Sequence, residues 1–269
     1  MSHTPRKRFG QNFLRDAEVV HRIAMTVHPK PDDHLVEIGP GEGVMTEALL
    51  PSSGRYDAIE IDRDLTAELR RRFSNRPGFY LHEADALRFN FKSILGEGKI
   101  RVVGNLPYNI STPLMFHLFA QVGMVEDMHF MLQNEVVDRL CAEPSSPHYG
   151  RLGIMARYFA RAEKLFEVFP ESFYPPPRVV SAIVRLVPHE VPPVSADPVT
   201  LGKVVTTAFS QRRKTLRNAL GSLFDVTELE ALAIDPKARA ETLSLEEYAA
   251  LARCLDEKSI KGSSAPRDF

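Results

Sequence analysis

The chain of 269 residues has only two cysteines, Cys141 and Cys254, far apart and without a CxxC pair. That excludes a disulfide framework and a cysteine-based zinc site, and leaves two reduced thiols with no evident task. Its nine histidines never fall into an HExxH spacing, so no metal is expected. No apolar run approaches the length of a membrane span, and the basic start, Arg6, Lys7 and Arg8, is not followed by the apolar core of a secretion signal. A soluble, cytoplasmic protein is expected. Net charge is scarce too, at −1 overall, which argues against nucleic-acid binding through bulk charge.

That average conceals a local imbalance. Between Asp197 and Asp225 there is no acid, and this stretch carries Lys203, Arg212, Arg213, Lys214 and Arg217. The segment beyond it is acidic, with Glu228, Glu230, Glu241, Glu246 and Glu247. Apolar residues are abundant at 43%, enough to build one large core and a smaller one.

Short apolar runs alternate with helical patterns from about residue 35 to 132. The spacing predicts strands over 35–38, 56–61, 79–82, 100–104 and 128–132, in a parallel sheet with crossover helices. Ahead of them, Asp16 can cap a helix whose buried face is Val19, Val20, Ile23, Ala24 and Val27. The string FYPPPRVVSAIVRLV, residues 173–187, runs from a proline turn into a β-branched strand suited to the same sheet. The proline-rich VPPVSADP then marks a linker, after which the pattern is helical, with capping boxes expected at Thr227–Glu230 and Ser244–Glu247. The division expected is a large domain over 1–190 and a small helical one over 191–269.

The string LVEIGPGEG, residues 35–43, sets a glycine-rich turn directly after a buried strand, where backbone amides can approach a ligand closely. Gly39, Gly41 and Gly43 give GxGxG rather than the GxGxxG of dinucleotide sites, which favours a methyl-donor site over NAD. About twenty residues on, DAIEID ends a second strand with Glu60, an acid placed to accept hydrogen bonds from both hydroxyls of a ribose. Asp62 competes for that role but lies farther from the strand. Asp85, in EADAL after the third strand, is placed to accept from an adenine amine, or simply to cap a helix. In an open α/β sheet these three strand ends border one crevice.

After the fourth strand comes NLPYNIS, from Asn105 to Ser111. A planar exocyclic amine is a poor nucleophile because its lone pair is delocalised into the base. If the Asn105 side-chain oxygen and the Leu106 carbonyl accept its two hydrogens, that lone pair is turned toward an incoming methyl. Pro107 fixes the turn, and Tyr108 can stack on the base.

With these motifs the chain resembles the ribosomal RNA adenine dimethyltransferase family over nearly its whole length, and most closely its branch acting on small-subunit RNA. The resemblance rests on RKRFGQNFL at 6–14, EIGPGEG, Glu60, Asp85, NLPY, FYPPPRVVS at 173–181 and FSQRRKTLRN at 209–218, all in order. It implies a Rossmann-like class I methyltransferase sheet of seven mostly parallel strands with a small C-terminal helical domain. It also implies S-adenosylmethionine as methyl donor, bordered by Asn12, Leu14, Gly39, Gly41, Glu60, Asp85 and Asn105, with Gln11 close by. Phe173 would face Tyr108 across a flipped adenine, and two methyls would reach each of two adjacent adenines of 16S RNA. The partner implied is small-subunit RNA or an immature small subunit, contacted by Arg6, Lys7, Arg8, Lys203, Arg212, Arg213, Lys214 and Arg217. A monomer is expected. The rivals are a large-subunit adenine methyltransferase of the macrolide-resistance kind, whose members are more basic, and a non-catalytic RNA-binding or assembly factor, disfavoured by an intact NLPY. An NAD-dependent oxidoreductase is disfavoured by the glycine spacing.

Overall fold

The computed structural model describes residues 11–108 and 110–263, with side chains to residue 260, so that Arg6, Lys7 and Arg8 lie outside the described residues. A two-residue strand, β1 (Phe13–Leu14), leads into helix α1 (Ala17–Val27). Asp16 caps α1, its carboxylate accepting from the backbone N–H groups of Glu18 and Val19. Val19, Val20, Ile23 and Val27 are buried, and together with Ala24 they pack into a cluster with Leu35, Tyr56, Val103, Met131 and Ile183. Each fully buried Val, Leu, Ile or Met among them contributes about 1.5–3 kcal/mol.

The sheet is then laid down by β2 (His34–Ile38), β3 (Arg55–Glu60), β4 (Phe79–Glu83), β5 (Ile100–Asn105) and β6 (Val125–Gln133), which are parallel to one another. Helices α2 (Val44–Leu49), α3 (Arg63–Phe73) and α4 (Ser111–Phe119) lie between these strands in sequence, and α5 (Asn134–Cys141) and α6 (Arg151–Phe159) follow. β2 is buried at every position, as expected for a strand covered on both faces. Two further strands complete the sheet, β7 (Ala160–Val168) and β9 (Ser181–Pro188), while β8 (Phe173–Tyr174) pairs with β1 outside it. The strand order is β4-β3-β2-β5-β6-β9-β7, with β9 antiparallel to β6.

This is the seven-stranded, mostly parallel Rossmann-like sheet expected, and the five strands first proposed differ from the observed ones only at their ends. β7 has no counterpart in the sequence reading. It follows α6 without a turn residue, and Arg161, Glu163, Lys164 and Glu167 dilute its apolar alternation. Charge of this kind is what an outermost strand carries to discourage pairing with other chains.

The described chain divides into two compact units, one running to Val137 and resuming over Arg161–Pro188, the other formed by Asp138–Ala160 and the chain from His189 onward. A single boundary near residue 190 leaves Asp138–Ala160 with the sheet. Hydrogen bonds from Ser145 N–H to the Glu241 carbonyl (2.7 Å) and from the Tyr149 hydroxyl to the Leu243 carbonyl (2.9 Å) tie that segment to the C-terminal helices instead.

Within the second unit, Asp197 caps α7 (Pro198–Ser210), and Pro198 stands in its first turn, where a missing N–H costs nothing. α8 (Leu216–Ala219), α9 (Val226–Ala231) and α10 (Leu245–Ser263) follow. The Ser244–Glu247 capping box forms as expected. The other box is Asp225–Glu228, two residues earlier than Thr227–Glu230. Both pairs fit in DVTELE, and the earlier start lengthens a short helix while Leu229 is buried.

Candidate active site

Successive strands run from β2 through β3 to β4 on one side and from β5 to β6 on the other. The reversal between β2 and β5 opens a crevice beyond their carboxyl ends. A cavity of about 270 Å³ lies there. Gln11, Asn12, Leu14, Gly39, Gly41, Glu60 and Asp85 all line it, as do Asn105, Leu106, Pro107 and Tyr108.

The turn after β2 passes through Gly39, Gly41 and Gly43 with φ of 68°, 58° and 77°. A Cβ on Gly41 would stand 3.1 Å from the Phe13 ring, so the turn lies directly beneath that ring. Gly43 serves packing, since a Cβ there would meet the Phe73 ring at 2.8 Å. The Gly41 N–H donates to Glu60 Oε2 (3.2 Å), and the Ile61 and Asp62 N–H groups donate to Oε1 (2.9 Å each). Burial pushes the Glu60 carboxyl above the usual range, opposed by these three amides and reinforced by the neighbouring charge of Asp62. Beneath the turn, Glu37 is fully buried and pushed up to about 7 by that burial, although Thr46 and Tyr56 donate hydroxyl hydrogens to it.

Asp85 Oδ1 accepts from the Leu87 N–H at 3.0 Å, which closes a turn rather than capping a helix, at a residue that also borders the cavity. Asn105 Nδ2 donates to the Asn12 carbonyl at 3.0 Å. Because the amide's hydrogen side is engaged there, Oδ1 is its acceptor end. The Tyr108 hydroxyl pairs with Ser181 Oγ at 2.8 Å, and burial raises its pKa.

The segment that supplies Asn12 is fastened at several points. Gln11 Nε2 donates to Asp62 Oδ2 (3.1 Å), β1 pairs with β8, and the Arg15 and Asp16 N–H groups both reach the Ser172 carbonyl.

Phe173 departs from expectation. It pairs with Leu14, is 5% exposed within the apolar cluster, and is not among the residues lining the cavity. Opposite residues of an antiparallel pair share a face, so Leu14 and Phe173 pack on the core side, where Leu14 also borders the cavity, while Phe13 and Tyr174 occupy the other side. Phe13 lines the cavity as well, an aromatic wall that the sequence did not single out. Ile61 was missed too: next to Glu60, it lines the cavity while 47% exposed, and apolar exposure beside a nucleotide acid is the signal.

In the second unit Lys203, Arg213, Lys214 and Arg217 are exposed. Arg212 is exposed too, with its guanidinium bonded to Glu241 (3.0 Å) and the Pro147 carbonyl (2.7 Å). No group of three or more His, Cys, Asp or Glu among the described residues could hold a metal ion, and no described helix is long and apolar enough to cross a membrane.

A sheet of this order, with a glycine turn after its first strand and an acid ending its second, defines the class I methyltransferase fold. The family model described as ribosomal RNA adenine dimethylase matches residues 2–257, and the chain belongs to that family. It is 57% identical over 256 residues to the ribosomal RNA small subunit methyltransferase A of Methylococcus capsulatus, covering 95% of this chain and 100% of that one. Among solved structures it is similar to a dimethyladenosine transferase from Plasmodium falciparum (TM-score 0.80, 25% identity, 92% of this chain and 98% of that one). A 23S rRNA methyltransferase, ErmE, is also similar (TM-score 0.69, 25% identity, 91% and 100%).

Proposed function

We propose that this chain transfers methyl groups from S-adenosylmethionine to the N6 amines of two adjacent adenines in the 3′-terminal hairpin of 16S ribosomal RNA, giving N6,N6-dimethyladenosine. It acts as a cytoplasmic monomer on the immature small subunit and contributes to that subunit's biogenesis. The observation carrying this reading is that Asn105, with its acceptor end free of the Asn12 contact, shares one cavity with the glycine turn and Glu60. The small-subunit target is supported by the names of the relatives, against the large-subunit alternative.

The residues present fit the donor. The Gly39–Gly41 turn offers close backbone approach, and Glu60, held by three amides, keeps lone pairs for ribose hydroxyls. Ile61 offers an apolar face to the donor's base, and Asp85 an acceptor for its amine. When bound, the donor supplies a sulfonium from which a methyl leaves readily, so neither a metal nor a covalent nucleophile is required.

The protein's task is alignment. Asn105 Oδ1 and the Leu106 carbonyl take the two amine hydrogens, Pro107 holds the turn, and Tyr108 stacks on the base. Fixing this geometry lowers the barrier by several kcal/mol, on the order of 5 or more. No side chain acts as general base, because the proton can leave after the methyl has arrived. Lys203, Arg213, Lys214 and Arg217, with Arg6, Lys7 and Arg8, contact phosphate. Arg212, itself exposed, belongs with them, its guanidinium also bonding Glu241 and the Pro147 carbonyl.

Radiolabelled methyl transfer to immature small subunits, with the products mapped and weighed, tests the reading. Two adjacent labelled adenines with two methyls each are expected, and Asn105→Ala should lower the rate by about a hundredfold or more. Label confined to large-subunit RNA, or an unimpaired Asn105→Ala enzyme, would overturn it.

A further inference from the structure

The β1–β8 pair that directs Phe13 toward the cavity carries a second ring on the same face. Phe13 and Tyr174 are direct partners in the register, yet Phe13 is 7% exposed and Tyr174 is 52% exposed. Side chains opposite one another in an antiparallel pair stand about 5 Å apart at Cβ, so Tyr174 sits beside a cavity wall. A second link places it at the rim. The Arg15 guanidinium lies 4.5 Å from the centre of the Tyr174 ring, and the same guanidinium reaches Glu42, which lines the cavity, at 3.4 Å. Arg178, four residues beyond Tyr174, is exposed as well. The rim thus presents an open aromatic ring with a guanidinium against one face and a second arginine on the same loop.

A ring and cations so arranged are chemistry for a single-stranded nucleotide: π-faces attract bases of any identity, and guanidinium groups attract phosphates. The need is specific to base extrusion, because the nucleotide next to an extruded adenine has lost its stacking partner. We propose that Tyr174 is the stacking platform for the RNA nucleotide adjacent to the adenine held in the cavity, with Arg15 fixing the ring and facing that nucleotide's phosphate. This rests on the methyl-transfer reading above and adds a substrate contact that NLPY does not provide.

The test compares Tyr174→Ala and Tyr174→Phe with the unaltered protein on immature small subunits, alongside calorimetric titration of each with S-adenosylmethionine. Tyr174→Ala should raise KM for the particle about tenfold, the size expected for one lost base–ring stack. Its kcat should stay within about twofold and its donor Kd should not move; Tyr174→Phe should recover most of the loss. Unchanged KM in Tyr174→Ala overturns the proposal. So does a Tyr174→Phe protein as impaired as Tyr174→Ala, which would assign the effect to the hydroxyl, or a parallel rise in donor Kd, which would assign the ring to the donor site. If the unaltered protein labels no adenine in the particle, the methyl-transfer reading has failed instead. The platform is then judged by fluorescence anisotropy with an oligonucleotide of the target hairpin loop, the same order of affinities supporting it and equal affinities refuting it.

Discussion

At the amino ends of the strands, Asp57 is buried between His34 (2.7 Å), His82 (2.6 Å) and Arg55 (2.8 Å). Burial alone would raise its pKa, but hydrogen bonds from these partners hold the carboxyl well below the usual range. Close by, Arg101 bonds Asp127 through two nitrogens (2.9 Å each) and Asp33 at 2.6 Å, and its pKa rises against the cost of burial. At the carboxyl ends of the same strands the answer is different. Glu60 is met by three peptide N–H groups and Glu37 by two hydroxyls, and both are pushed upward by burial. Charge matched by charge is neutral toward a visitor. Glu60, met by dipoles and by no cation, keeps lone pairs for a visitor, which suits the cationic methyl donor proposed above. One sheet therefore has a sealed pole and a receptive one.

Removing a partner from the sealed pole should have the largest effect. Asp127→Ala takes from Arg101 its bidentate acceptor and should cost about 3 kcal/mol or more in urea unfolding, because the buried guanidinium then keeps Asp33 as its remaining carboxylate partner and loses two charge-assisted hydrogen bonds. Donor affinity of the folded protein should not change; a loss below about 1 kcal/mol would show that the pole is not sealed by pairing.

His129 gives a pH-dependent version. It is buried, neither ring nitrogen has a hydrogen-bond partner, and Asp127 is 3.8 Å away. Burial, aided by Arg101 and Arg185 and opposed by Asp127, lowers its pKa to about 4. The folded state thus refuses a proton that the unfolded chain accepts near its ordinary value of about 6.5, so stability is full above that pH and declines as pH falls toward 4, by about 3 kcal/mol in total. His129→Leu should abolish most of that decline, read as a widening gap over the unaltered protein between urea curves at pH 7 and pH 4.5. Parallel curves at the two pH values would contradict it.

The smallest effect is expected at the receptive pole. Glu60→Gln replaces one acceptor oxygen by a donor facing peptide N–H groups and should weaken donor binding about tenfold by calorimetry. Equal affinity would mean that the ribose is not held there.

Much of this was legible because buried parallel strands are written as apolar runs, as in LVEI and AIEI, each broken by a single acid, and because glycine and acid at their ends have few other reasons to recur in order. β7 was hidden because an outermost strand needs only one apolar face, and ARAEKLFEV spends the other on charge. The packing of Phe173 was not legible because an aromatic in a proline-rich loop reads the same whether it faces a ligand or the core. Only its pairing with Leu14, about 160 positions away, decides the side. The bond from Arg212 to Glu241 was out of view for the same reason: its partner is remote in sequence.

The pairing of β1 with β8 also has a temporal meaning. A ribosome delivers Phe13 and the glycine turn early, but the strand that fastens Phe13 over that turn is not made until residue 174. A nascent or truncated chain lacking Phe173 and Tyr174 holds Gly39, Glu60 and Asn105 without the strap that closes over them. Full donor affinity is therefore expected only of chains that extend past residue 174, which titration of a chain truncated before Phe173 would check.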